Sequence, residues 1–157
     1  MSDMPSSPLL WVLIAWLASA ACRGPEASPA EVARDVPPAD LLGEFEDDYG
    51  IRYTITPSEW RLWPDMRFEI VAWNSNEQYL VARNGDDNPS EAGLWTRIDW
   101  MELPAGSPYR YGFCLSAFDA PTRDAARATA AADRSEPMTG CNGFPFSRLK
   151  PWSATAP

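Results

Sequence analysis

The chain contains no histidine. That absence removes the commonest general base and the commonest metal ligand. Ser-His-Asp and Cys-His catalysis go with it, as does any zinc centre that needs imidazole. Basic side chains are scarce: 13 Lys and Arg stand against 22 Asp and Glu, a formal net charge of −9. Such a surface repels nucleic acid and anionic lipid headgroups, and no basic stripe relieves it, so no nucleic-acid partner is expected. The simplest use of the excess charge is solubility. Also missing is an apolar run of the ~20 residues that span a bilayer.

What stands in its place is Leu9–Ala21, LLWVLIAWLASAA, thirteen residues without a charge. Its length suits the roughly 7–15 residue hydrophobic region of a signal peptide, and the small residues Ala18, Ser19, Ala20 and Ala21 lead into Cys22. A small-residue run ending in cysteine resembles the lipobox of bacterial lipoproteins, with Ser19 where that family usually has leucine. The resemblance implies that the Cys22 thiol is lipidated, that the chain is cut just before it, and that the new N-terminus is acylated. Residues 1–21 are then a signal peptide and the protein is exported. Its partner is the bacterial membrane, reached through the N-terminal lipid (several acyl chains anchor stably where one binds marginally). Arg23 follows the cysteine, where an aspartate would imply inner-membrane retention in the enteric family, so the outer membrane is expected. The other readings are a plain secretory signal cut near Ala20 or Ala21 and an uncleaved anchor.

Beyond the signal, 13 basic and 21 acidic side chains remain, a charge of −8. Residues 22–39 continue as a linker: 23–39 read RGPEASPAEVARDVPPA, with four prolines and no apolar periodicity. Such a stretch buries too little to fold, and its prolines favour an extended spacer. About 110 residues are left for one small core. We expect residues 40–150 to form it and residues 151–157 to be a disordered tail. With Cys22 lipidated, Cys114 and Cys141 remain, and an exported compartment favours their pairing. The alternative is two separate thiols. A bridge would close a loop of about 28 residues and contribute roughly 3–4 kcal/mol on chain-entropy reasoning.

Strand patterns dominate from Leu41 to Phe118. Ile51, Tyr53 and Ile55 alternate onto one face, and Phe68, Ile70 and Ala72 do the same in the run 67–73. Asn74–Glu77 predicts a hairpin turn into 78–83, and 84–89, NGDDNP, a loop. In 94–103, Leu94, Thr96, Ile98 and Trp100 share one face while Trp95, Arg97, Asp99 and Met101 share the other. The run 109–118 puts Tyr109, Tyr111, Phe113 and Leu115 together, with Gly112 marking a bulge or close packing. Thr122 to Arg134 is alanine-rich and predicts a helix of about three turns with Thr122 as N-cap. In the Pro- and Gly-rich remainder, Phe144 and Phe146 are expected to pack onto the sheet. The fold class is mainly β: an antiparallel meander of about five strands, curled as a small barrel or half-barrel, plus one short C-terminal helix.

Leu42-Gly43-Glu44-Phe45 followed by aromatic-rich meander strands resembles, in architecture and over about half the chain, the lipocalin-type small barrels. No lipocalin-specific motif accompanies it and no binding residue carries over. The whole chain is similar to small Gram-negative lipoproteins of unknown function, through Asp48-Tyr49-Gly50, Leu94 to Trp100, and Cys141 to Phe146. That resemblance implies a class and no activity.

Six tryptophans lie beyond the signal. Trp60, Trp63, Trp73, Trp95 and Trp100 are the candidate ligand-binding residues, since aromatic rings line apolar and glycan pockets. Core packing is the competing use, because Trp95 and Trp100 fall on opposite faces of one strand. Arg97 and Asp99, at i and i+2, predict a structural ion pair. Asp86, Asp87 and Asn88 offer oxygen ligands without the spacing of a calcium loop and read as a solvated turn, so no metal is expected. Glu44, Glu46 and Asp48 alternate onto one face, the kind of carboxylate set that glycosidases use. Nothing beside them orients a substrate, so no catalytic residue, cofactor or enzyme activity is assigned. The expected protein is a non-catalytic, envelope-associated interaction module, with another envelope protein as a candidate partner. The alternative is a small barrel that binds an apolar or glycan ligand on its aromatic face.

Overall fold

A computed structural model describes residues 36–154, so the signal peptide, Cys22 and most of the linker lie outside the described residues. After a single 3-10 turn at Ala39–Leu41 come β1 (Gly43–Asp47), β2 (Arg52–Ile55), β3 (Glu59–Leu62), β4 (Met66–Asn74), β5 (Tyr79–Asn84), β6 (Trp95–Glu102) and β7 (Tyr111–Ala120). A helix, α1 (Arg123–Ala128), and β8 (Ser147–Pro151) complete the chain. All eight strands pair antiparallel in chain order, and β8 returns to β1 to close a barrel.

The class is as expected, but there are eight strands rather than about five. The three hardest to read each conflict with strand propensity: β1 is acidic, β3 spans four residues between prolines, and β8 ends on Pro151. They form because alternate residues bury, Phe45 and Asp47 in β1, Trp60 in β3 and Leu149 in β8, and because closing the ring pairs every edge. Trp152 donates its backbone N–H to the Glu44 carbonyl at 2.9 Å, just beyond the end of β8.

The inward faces make one core. Tyr53, Trp60 and Phe113 meet with ring centroids 5.3–6.3 Å apart, and Trp100 meets Tyr111 edge-on at 6.2 Å. Trp73 is part of it, against the expected phase of β4. A register shift between Ile70 and Ala72 inserts a residue there, so Trp73 turns inward in place of Ala72. The Trp73 indole donates to the Pro57 carbonyl at 2.8 Å. Shifts also interrupt β7 opposite Trp95–Ile98. Gly112 is not at a bulge; a Cβ there would lie 3.2 Å from Met101 Cγ and 3.4 Å from Phe146 Cβ, so it marks close packing.

The strands alternate in direction, which sorts the connections. The β2–β3, β4–β5 and β6–β7 turns share one end with residues 36–42. There Leu41 is fully buried, and Asp40 accepts from the Tyr111 hydroxyl at 2.7 Å and from Arg110. The β1–β2, β3–β4 and β5–β6 connections share the other end, from which the long β7–β8 connection leaves β7 and runs down the outer wall to the β4–β5 turn, where Arg134 binds.

On the outer face, α1 and the segment after it cover a buried ion cluster. Asp99 accepts from Arg97 Nε and Nη2, both at 3.0 Å, from Arg134 Nη2 at 3.1 Å, and from the Ser116 hydroxyl. Arg97 stacks on Tyr79 at 3.9 Å and donates to the carbonyls of Arg127 and Thr129. Thr122 caps the helix as expected, accepting from Ala125 N–H. The helix spans six residues, not three turns. Its last carbonyls are taken by Arg97, and Arg134 reaches the carbonyls of Glu77, Gln78 and Trp100, holding 129–134 non-helical. The Cys114–Cys141 disulfide forms, with Cα atoms 5.5 Å apart, and ties this connection to β7.

Candidate interaction surface

The candidate tryptophans do not share a surface. Trp60, Trp73 and Trp100 are buried inside the barrel. Trp95 packs under α1 with Tyr79 and Val81. Trp63 is 44% exposed on the outer wall, its indole donating to Thr54 Oγ1, with Arg61 and Arg52 lying 5.0 and 5.8 Å from its ring. The barrel interior is therefore filled by side chains. Trp60 and Trp100 keep their indole N–H groups without an acceptor among the described residues.

Each of the three carboxylates, Glu44, Glu46 and Asp48, is tied to its own basic neighbour. Glu44 is bound by Arg52 and Thr54, whose hydrogen bonds hold it below the usual carboxylate range. Glu46 lies 3.5 Å from Lys150. Burial raises the Asp48 carboxyl, but the Arg148 backbone N–H and guanidinium outweigh it and hold it low. In the 84–89 loop, Asp86 pairs with Arg83 and Asp87 with Arg67, both at the exposed surface. Asn88 is not solvated: it is buried and bonds both the N–H and the carbonyl of Arg67, replacing a strand partner. No group of three or more metal-ligating side chains occurs among the described residues.

What the structure does gather, at the end away from Leu41, is a different set of aromatics. β8 pairs with β7 only at Tyr111–Phe113, so β7 runs on past it. Beside that stretch opens a depression of about 380 Å³, with Phe113 and Leu115 as floor and Tyr49, Phe118 and Phe144 as rim. The rim residues are 71%, 47% and 70% exposed. Phe144 was expected to pack as Phe146 does; instead only Phe146 is buried.

Each rim residue is held by local chemistry. Tyr49 sits in the β1–β2 turn, where buried Asp47 accepts from the N–H groups of Tyr49 and Ile51 at 2.9 and 2.8 Å and from the Tyr53 hydroxyl at 2.8 Å. Burial, followed by that bond, pushes the Tyr53 pKa up, so the phenol stays protonated as donor. Phe118 lies within a β7 register shift, between Ala117 and Ala120, its carbonyl taken by the Asn84 amide at 2.8 Å. Phe144 closes a two-residue hairpin: Cys141 and Phe144 exchange backbone hydrogen bonds at 3.0 and 2.8 Å across Asn142 (φ 53°) and Gly143 (φ 89°). Asn-Gly is the preferred pair for this geometry, and the disulfide fixes the hairpin's first residue.

The signals for this surface were therefore local turn chemistry, Asp47 to Gly50 and Asn142-Gly143 beside Cys141, rather than the tryptophans. Comparison with protein-family models, with curated proteins and with solved structures finds nothing that matches this chain.

Proposed function

We propose that the protein is an exported lipoprotein, anchored to the bacterial envelope through Cys22, that works without catalysis as an interaction module. The observation that carries the binding role is the aromatic rim: three large apolar side chains held exposed together by a disulfide-fixed hairpin and an Asp47-braced turn. Exposed apolar groups concentrated at one place mark contact surfaces. The absence of histidine and the individual pairing of Glu44, Glu46 and Asp48 support a non-catalytic role.

Intact mass from a membrane fraction tests the anchor. A species beginning at Cys22 with added acyl mass, gaining about two hydrogens on reduction, is expected. A species without lipid, cut near Ala20 or Ala21, would refute the anchoring. A second reading, a small-ligand barrel, is favoured by the position of Phe113, which is both floor of the depression and a direct neighbour of Trp60. Tryptophan fluorescence unchanged across a panel of lipids and glycans would remove it.

A further inference from the structure

We infer that the aromatic mouth receives a single apolar side chain presented by a protein partner of neutral or basic charge. This rests on the interaction-module reading and names the partner's chemistry.

Three observations set the class of occupant. The first is size. A depression of about 380 Å³ lies at the low end for ligand pockets, and pockets for small molecules enclose most of their ligand. Here Tyr49 and Phe144 keep about 70% of their surface in solvent, so a free small molecule would stay largely wet. A side chain projecting from a larger body fills the floor while that body covers the rim, the arrangement of an interface hot spot. A second copy of this chain is disfavoured by charge, since it would bring the same acidic excess to the interface. At ~200 Å² per aromatic side chain, the three rim residues expose roughly 400 Å², about half of what one partner contributes to a stable interface, so the partner's body must also cover surface around the rim.

The second is polar chemistry. Asn142 stands in the wall of the depression and donates weakly, at 3.4 Å, to the carbonyls of Leu115 and Ser116. Its Oδ1 accepts no bond among the described residues, leaving an acceptor beside an apolar floor. A polypeptide brings a backbone N–H to that acceptor; an acyl chain has none.

The third is charge. Residues 36–154 carry 18 acidic and 11 basic side chains. Asp119, next to Phe118 and exposed, has no ion partner among the described residues. An acidic partner would be repelled on approach, and a neutral or basic one would not.

The test uses the full chain in the cells that encode it, with the photo-crosslinker p-benzoylphenylalanine replacing Phe144. A second strain carries it at Met138, which is also about 70% exposed but lies outside the depression. The expected result is a discrete protein adduct at position 144 only. Peptide-level mass spectrometry should place the link at an apolar residue in a segment of neutral or basic charge. Adding Phe118→Asp should reduce that adduct at least tenfold while the disulfide and thermal transition persist. Adducts to lipid alone, to a second copy, to an acidic segment, or scattered over many proteins would each overturn the inference. Loss of the adduct at 144 with a discrete one at 138 would overturn the site while sparing the module reading. No protein adduct at either position would sink both.

Discussion

Replacing Asp99 by asparagine removes one negative charge from a place water does not reach. Asp99 is fully buried and receives four donors: two from Arg97, one from Arg134 and one from the Ser116 hydroxyl. Asparagine keeps one acceptor oxygen and turns an amide toward the guanidinium that Oδ1 or Oδ2 now binds. Arg97 is itself buried and would be left as an uncompensated charge. Removing one partner from a buried pair costs about 3–5 kcal/mol, against a total stability of roughly 5–15 kcal/mol for a domain. With a urea m-value of ~1.5 kcal/mol/M, the unfolding midpoint should fall by about 2–3 M. Equilibrium urea unfolding followed by tryptophan fluorescence measures this. Ser116→Ala, which removes one donor and leaves the charges paired, should cost only ~1 kcal/mol. A midpoint shift worth less than about 1 kcal/mol for Asp99→Asn would refute the reasoning. It would mean that solvent or rearranged side chains satisfy Arg97 once α1 loosens.

Reducing the Cys114–Cys141 bridge should lower stability by about 2–4 kcal/mol, read as a drop in the thermal midpoint with reductant. Gly143→Ala should cost ~1 kcal/mol from its positive φ alone, since a Cβ there meets nothing within 4 Å; calorimetry beside the parent measures it. Asp40 and Glu44 both have lowered pKa values, Asp40 chiefly through the Tyr111 hydroxyl and Glu44 through Arg52. Their contribution is therefore present above their ordinary values of 3.8 and 4.5 and is lost as pH falls through the lowered folded values. Asp40→Asn combined with Glu44→Gln should make the melting temperature less dependent on pH below about 4.5, and an unchanged pH profile would contradict the assignment.

Much of the barrel was legible because its central strands alternate cleanly. Tyr53 and Ile55, Ile98 and Trp100, and Tyr111 and Phe113 all point where a period of two places them. Failures occurred where a tertiary demand overrode a local one. The inserted residue in β4 changes the phase after Ile70, which no periodicity through 67–73 can anticipate. β8 lies in a stretch whose composition reads as loop, and only the need to close the ring on β1 makes it a strand. The alanine-rich run after Thr122 has helical propensity to Arg134, but Arg97 takes the Arg127 and Thr129 carbonyls that a longer helix would need, and Arg134 is drawn instead to the carbonyls of Glu77, Gln78 and Trp100. The candidate surface was the least legible. Tryptophan is the more unusual residue here, yet in a barrel this narrow the largest rings are consumed as filling. The exposed aromatics are ordinary residues placed by turns.

The two ends of the barrel differ in a way that bears on presentation. Residues 36–42 run into β1 at the end sealed by Leu41 and latched by Asp40, Arg110 and Tyr111. The rim of Tyr49, Phe118 and Phe144 belongs to the opposite end. The two ends are thus built differently, one closed by a polar latch and the other carrying the exposed aromatic rim. Loosening the latch with Asp40→Asn should weaken the Leu41 end of the barrel without changing crosslinking at position 144. A parallel loss of both would show that the two ends are coupled through the shared core, in which Tyr111 packs on Trp100 and Phe113 packs on Tyr53 and Trp60.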